Sequence, residues 1–343
     1  MPPSIKDIAR RAGLAHSTVS RALRDNPVIS AETRARVKAL AEEMGYRPNT
    51  LARGLRAQRT HTVAFVVASF GDPYFARLIR GFETEAERLG LTVLLSSSHR
   101  RPERERGAVD LFRGYQVDGV ALASTAMDPG TRHALEGLPT VLVNPEAEGP
   151  LGLPTIAVDN RAGARVATEH LIELGHRHIV YLGVRSRPAT DAARELGYRD
   201  AMSAAGLEAR TAHGELEAPD ASVAGSDLAE ARRLLPGLVR DGATAIVAYN
   251  DSTATGVLLA ARDLDIEVPG DLSVTGFDDL PIARLLVPPL TTVRQDAREL
   301  GRRAMATLHE LCGDGAPEDF LLATELVVRD STSAPPSAQK APR

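Results

Sequence analysis

Near the amino terminus, Ala9, Gly13 and Val19 fall at the spacing of two short helices joined by a tight turn. A small alanine lets the helices cross closely, glycine permits a left-handed turn, and valine packs the second helix on the first. With Ile8, Ala12, Leu14 and Leu23 turned inward, the second helix exposes His16, Ser17, Ser20, Arg21 and Arg24. That face combines hydrogen-bonding groups with fixed positive charge, which suits a polyanion. Elsewhere the types and spacings needed for catalysis are missing. There is no G-x-x-x-x-G-K-[ST], the lysines being Lys6, Lys38 and Lys340 only, and no G-x-S-x-G. Cys/His metal spacing is limited to His176 and His178, which flank a helix-to-strand turn and read as structural. Cys312, near Leu308 and Leu311, reads as a small packing residue. The expectation is a binding protein and not an enzyme, with no cofactor and no metal site.

The elements that must position the basic face are short helices. Ser4 with Asp7 makes a capping-box start for a helix over Ile5–Ala12, Gly13 ends it, a second helix covers His16–Leu23, and Ser30 caps a third over Ala31–Met44. Val37, Leu40, Ala41 and Met44 give the third a buried face, and Gly45 stops it. Thr50–Arg56 is basic, preceded by Pro48, and too brief to hold a helix unaided.

From His61 the texture changes. Thr62–Ala68, Leu91–Ser96, Gly119–Ala123, Thr140–Val143, Thr155–Val158, His178–Leu182, Ala245–Tyr249 and Leu272–Phe277 are short apolar runs, most of them separated by helical stretches. Continuous apolar strands alternating with helices predict buried parallel sheets. The pattern G-[FY]-x7-G-L occurs twice, at Gly81-Phe82 with Gly90-Leu91 and at Gly197-Tyr198 with Gly206-Leu207. It points to two related α/β halves. Ser331–Arg343 is rich in Ser, Ala and Pro and is expected to be disordered.

The 343 residues are 43% hydrophobic and 25% charged, ordinary globular material sufficient for two or three domains. The net charge of −4 conceals a split: the first 60 residues hold 12 basic and five acidic side chains, a +7 head, and the remaining 283 carry −11. No apolar run approaches the ~20 residues of a membrane-spanning helix. With one cysteine and no apolar leader, the expected location is the cytoplasm.

Ile5-Lys6-Asp7-Ile8-Ala9, Ala12-Gly13, Ser17-Thr18-Val19-Ser20-Arg21-Ala22-Leu23, Glu32-Thr33-Arg34, Gly45-Tyr46-Arg47-Pro48-Asn49 and Leu51-Ala52-Arg53 together resemble the head of a LacI/GalR-family transcriptional regulator. The likeness runs on to about Asp330 through Asp72-Pro73-Tyr74-Phe75, Val117-Asp118-Gly119, Val158-Asp159-Asn160, His170-Leu171, Leu174-Gly175-His176, Asn250-Asp251, Gly276-Phe277-Asp278-Asp279 and Pro289-Leu290-Thr291-Thr292-Val293. The resemblance implies an α/β chain with four parts: a helix-turn-helix three-helix head over 1–48, a hinge helix and linker over 49–60, a two-lobed periplasmic-binding-protein-like (type I) ligand-sensing and dimerisation body over 61–330, and the tail.

It also implies roles. The second helix enters the major groove of operator DNA, where His16, Ser17 and Arg21 read base edges. An arginine can bond bidentately to guanine for ~1–3 kcal/mol of discrimination. Ser4, Thr18, Ser20 and Asn26 position the head on phosphates. In the hinge, Leu55 wedges into the minor groove while Arg53 and Arg56 follow the backbone. The chain departs from the family at Ala15, where a serine cap is usual, and at Gly54, where a serine is frequent; both changes weaken local helix. In the body, Asp72, Tyr74, Phe75, Asn144, Arg194, Asn250, Asp278 and Gln295 line a cleft between lobes joined by three crossovers. Carboxylates, amides and a guanidinium suit a polyhydroxylated ligand, a sugar or sugar derivative, with Phe75, Tyr74 or Tyr249 under its apolar face. The implied protein is a homodimeric repressor on pseudo-palindromic double-stranded DNA, away from membranes. A secreted sugar-binding protein would share the body, but the basic head and the missing leader argue against it.

Overall fold

The computed structural model describes residues 3–46, 59–123, 125, 127–146, 151–184, 188–214 and 223–336. The chain divides into two compact units, Met1–Thr60 and His61–Arg343.

The first unit holds α1 (Ile5–Ala12), α2 (His16–Ala22) and α3 (Ala31–Glu43). Asp7 accepts from Ser4 N at 2.9 Å and Ser4 Oγ at 2.6 Å, fixing the start of α1. Gly13 ends α1 in the left-handed region at φ 67°, where a side chain would be strained. Ile8, Val19, Ala22 and Val37 are buried completely where the three helices meet. Arg36 closes the end of α1 by donating to the Ala12 carbonyl at 2.7 Å, and Arg34 donates to Ile29 O at 2.7 Å.

The second unit begins with β1 (Thr62–Val67), α4 (Pro73–Arg88), β2 (Thr92–Ser97), α5 (Pro102–Gly114), β3 (Gly119–Ala123), α6 (Pro129–Ala134), β4 (Thr140–Val143), β5 (Thr155–Val158) and α7 (Asn160–Glu173). Then follow β6 (Ile179–Val184), α8 (Pro188–Ala204), β7 (Arg210–Gly214), α9 (Val223–Arg240), β8 (Ala245–Ala248), α10 (Asp251–Asp263), β9 (Ser273–Asp278) and β10 (Thr291–Arg294). Last come α11 (Ala297–Cys312), β11 (Phe320–Leu322) and β12 (Glu325–Val327).

The strands form two sheets of the same design, ordered β11-β5-β4-β3-β1-β2 and β12-β10-β9-β8-β6-β7. All pairings are parallel except β10 with β12. The chain passes between the sheets after β5, after β10 and after β11, which gives the expected two lobes and three crossovers. Four strands are additions to the eight apolar runs: β7, β11 and β12 at sheet edges, and β10 between β9 and β12.

The repeated G-[FY] pattern has a packing cause. A Cβ on Gly81 in α4 would stand 1.9 Å from the Arg298 carbonyl oxygen in α11, and one on Gly197 in α8 would stand 2.0 Å from that of Arg161 in α7. Each glycine therefore lets two helices touch backbone to backbone. The following aromatic stacks on its lobe's first strand: Phe82 on Phe65 at 4.5 Å between centroids, Tyr198 on Tyr181 at 5.7 Å.

One expectation needs correction. Residues 331–336 are not a loose tail: Ser331 is fully buried and donates to Val274 O at 2.6 Å, and Ser333 O lies 2.9 Å from His176 Nε2. Small hydroxyl side chains here complete the hydrogen bonding at the starts of β9 and β10, a role composition cannot distinguish from disorder.

Candidate functional site

In the head, α2 starts at Ala15 with extended backbone (φ −62°, ψ 145°) and no side-chain cap. His16, Ser17 and Arg21 are exposed on α2, as is Ser4 at the start of α1; Thr18, Ser20 and Asn26 are half-buried. Ser20 is engaged by Arg24, whose Nη2 donates to Ser20 Oγ at 3.1 Å. Asn26 Oδ1 accepts from Val28 N at 3.0 Å, leaving its amide nitrogen to donate. Arg53, Leu55 and Arg56, with the rest of the hinge segment, lie outside the described residues.

In the body, the sequence-predicted ligand residues cluster where strands end and helices begin. Asp72 and Asn250 each cap a helix: Asp72 Oδ1 accepts from Tyr74 N at 3.0 Å, and Asn250 Oδ1 accepts from Thr253 N at 2.8 Å. Tyr74 and Phe75 are buried in the first turn of α4, their rings edge to face at 5.2 Å. Asn144, at φ 42° just past β4, donates from Nδ2 to Tyr74 Oη at 2.8 Å and accepts from Val158 N at 2.9 Å. This joins the ends of β4 and β5 to α4.

The second lobe contributes a charged centre. Arg194 is 3% exposed, donates from Nε to Asn160 Oδ1 at 2.9 Å and from Nη1 to Tyr249 O at 2.5 Å. Its guanidinium lies 3.7 Å from the Phe277 ring centroid and 4.5 Å from that of Tyr249, close enough for cation–π attraction. Nη2 stands 3.9 Å from Asp278 Oδ1, inside ion-pair range but too far for a hydrogen bond. Asp278 holds φ 118°, a strained backbone of the kind stored at functional sites, and accepts from Gln295 Nε2. Gln295 Oε1 is buried without a hydrogen-bond partner among the described residues, an acceptor available to a hydroxyl. Burial first, and then the Asp278 carboxylate, push the pKa of Asp251 well above the usual carboxylate range. Neighbouring Asp279 goes the other way: burial opposes it, but Arg329 and Arg294 hold it below its ordinary value.

Polar contacts also tie lobe to lobe. Arg77 in α4 donates to Asp279 O at 2.8 Å. Glu146, beyond β4, accepts from Ala189 N at 3.1 Å and Thr190 N at 3.0 Å at the start of α8, where an anion offsets the helix dipole. Sequence reasoning missed Glu146, Asn160 and Phe277. Asn160 and Phe277 stand inside the Val158-Asp159-Asn160 and Gly276-Phe277-Asp278-Asp279 motifs, so the signal was present; nothing local marked Glu146.

Residues 4–49 match the bacterial regulatory proteins of the lacI family, and residues 168–332 match the periplasmic binding protein-like domain. The chain is 32% identical over 344 residues to HTH-type transcriptional regulator DegA of Bacillus subtilis (strain 168), covering 97% of this chain and 99% of DegA. Among solved structures, the Lac repressor dimer bound to operator and the anti-inducer ONPF is 25% identical with a TM-score of 0.84, covering 97% of this chain and 100% of that one. The transcriptional regulator CelR–cellobiose complex is 31% identical with a TM-score of 0.70, covering 96% and 99%. No described helix is long and apolar enough to cross a membrane. With a basic helix-turn-helix head, two lobes of matching topology and relatives matched over nearly the whole length, the chain belongs to the LacI/GalR family of HTH-type transcriptional regulators.

Proposed function

We propose that the protein is a cytoplasmic, homodimeric repressor without enzymatic activity, whose grip on a pseudo-palindromic operator is set by a sugar or sugar derivative bound between its lobes. The observation that carries the reading is the Arg194 centre: a buried guanidinium against two aromatic rings, with Asp278 and an acceptor on Gln295 beside it. A planar fork, a carboxylate and amides at strand ends are what a polyol needs for recognition. The solved relatives support both halves of the reading, one holding operator and ONPF, the other cellobiose.

On DNA, His16, Ser17 and Arg21 read bases while Ser4, Thr18, Ser20 and Asn26 hold phosphates. In the cleft, Asp72, Tyr74, Phe75, Asn144, Arg194, Tyr249, Asn250, Asp278 and Gln295 form the effector site. Ligand-driven closure of the lobes acts on the hinge segments, Arg53, Leu55 and Arg56 included, through a coupling of ~1–3 kcal/mol.

The test begins with selection of bound sequences from random palindromic DNA, followed by mobility shifts with and without a panel of sugars and sugar phosphates. Thermal shift on the same panel identifies the effector, since a ligand at 100 times its Kd stabilises by ~2.7 kcal/mol. Salt-sensitive, sequence-specific binding that one sugar alters is expected. Absence of sequence-specific binding under every ligand condition would overturn the repressor reading.

A further inference from the structure

We propose that Asp191, Glu195 and His213 in the second lobe form a binding site for a divalent transition-metal ion of the zinc type. One ligand atom from each lies within 4.8 Å of the other two. His213 Nε2 stands 3.2 Å from Asp191 Oδ2 and 3.0 Å from Glu195 Oε2. Around an ion with ligand bonds of about 2.0–2.2 Å, tetrahedral ligand atoms sit roughly 3.3 Å apart. Small side-chain rotations therefore bring all three onto one ion, with a fourth position open.

The ligands come from two elements that the fold brings together. Asp191 and Glu195 are four residues apart on α8, hence on one face of the helix, and His213 comes from the edge strand β7. β7 pairs with β6, where Gly183 lies opposite His213. A Cβ on Gly183 would stand 2.6 Å from His213 Cδ2 and 2.7 Å from Asp191 Oδ1, so only glycine leaves room for the cluster.

Each carboxylate is oriented from behind, as metal-binding carboxylates are. Asp191 Oδ1 accepts from Tyr181 Oη at 2.8 Å and Val184 N at 3.1 Å, which leaves Oδ2 turned to His213. Glu195 Oε1 accepts from Arg199 Nε at 2.6 Å, which leaves Oε2 for the same point. The Tyr181 ring also meets the His213 ring edge to face, 6.3 Å between centroids. Two carboxylates with one imidazole form an N/O donor set suited to zinc, cobalt or nickel and less to calcium, which prefers six or more oxygens. Arg194 lies between Asp191 and Glu195 in the chain, so an ion here stiffens the turn of α8 that carries the effector-facing guanidinium. The site does not depend on which ligand the cleft takes.

The experiment uses the full chain after chelator treatment. Titration with Co2+ is expected to give visible d–d bands saturating at one equivalent, which Zn2+ displaces, and Zn2+ is expected to raise the thermal midpoint. His213→Ala and Glu195→Gln, with unchanged circular dichroism, are expected to lose the bands. Tyr181→Phe keeps all three ligands and should weaken Zn2+ binding by ~10–100-fold through the lost outer hydrogen bond. A wild-type chain showing neither bands nor a Zn2+-dependent midpoint overturns the site and leaves His213 as a polar neighbour of the two carboxylates. Binding retained in both ligand variants places the ion elsewhere and overturns it equally.

Discussion

At the scale of single residues, Arg194 decides most. Its guanidinium stands within ion-pair range of the buried Asp278 carboxylate and is also held by Asn160 and the Tyr249 carbonyl. Arg194→Ala should therefore cost about 3–5 kcal/mol of body stability, because it takes a cation from beside a buried carboxylate and removes two buried hydrogen bonds and the packing on Phe277 and Tyr249. Adding Asp278→Asn, which removes that charge while keeping the shape, should restore a large part of the loss. Urea unfolding of the two variants checks this; a double variant no more stable than Arg194→Ala would show that packing on Phe277 and Tyr249 dominates instead. The family resemblance pointed to Arg194 and Asp278 but not to what surrounds them. The Phe277 ring and Asn160 gain their roles only when α7, α8 and β9 converge, a long-range event that no local spacing records.

At the scale of elements, the repeated glycines give the sharpest test. Gly81→Ala and Gly197→Ala would force Cβ atoms to 1.9 Å and 2.0 Å from backbone carbonyl oxygens, which the helices must separate to admit. Overpacking of this kind costs ~1–3 kcal/mol or more. Gly107→Ala, in the middle of α5 with nothing within 4 Å, should instead gain ~0.5–1 kcal/mol from helix propensity. Thermal unfolding of the three variants should separate by sign. The same elements show what was legible: strands buried on both faces, such as β3 and β8, announce themselves as apolar runs, and the repeat announced the matching halves. β7, reading Arg210-Thr211-Ala212-His213-Gly214, is half-buried at a sheet edge and carries no such run, and β11 and β12 are three residues each. Their pairing is dictated by the sheets they join.

The segment after β12 adds a pH dependence. Burial lowers the pKa of His176 from its ordinary 6.5; the Ser333 carbonyl opposes the shift and His170 reinforces it. His170, beside Thr332, is likewise lowered by burial, with Glu173 opposing. A histidine whose folded pKa is depressed binds its proton more readily when unfolded. Its contribution to stability is present above pH 6.5 and is lost as the pH falls below it. This histidine contribution should accordingly be smaller at pH 5 than at pH 7.5, opposite in sign to that of Asp251, whose raised pKa favours the folded state at the lower pH. His176→Gln, which keeps hydrogen-bonding capacity without the titration, should flatten that slope in part, His170 supplying the rest. A pH profile of urea midpoints reads this directly.

For the whole molecule, the division of charge sets how DNA binding responds to salt. Were all 12 basic side chains of the first 60 residues to meet phosphate, the slope of log affinity against log salt would be about −11 per head. The structure spends several of them internally. Arg11 pairs with Glu43 at 2.7 Å, Lys38 with Asp25 at 2.6 Å and Arg10 with Asp7 at 3.5 Å, while Arg34 and Arg36 donate to backbone carbonyls. Arg24 likewise donates to Ser20 O and Ser20 Oγ; with those six occupied at most six remain, and the slope expected is no steeper than about −5 per head. Lys38→Ala should then leave the slope nearly unchanged while loosening the joint between α3 and the end of α2. Lys6→Ala, at an exposed lysine on α1, should lower it by about 1 on any DNA sequence. Asn26→Ala, removing a neutral donor, should weaken all sequences alike without altering the slope. Arg21→Ala should act differently again, surrendering ~1–3 kcal/mol of preference at one base pair of each half-site. Fluorescence titrations over a salt series on the selected operator and on single-base variants distinguish these four outcomes. A slope near −11 would mean that the intrahead ion pairs open on DNA, and that the basic head is rebuilt when it docks.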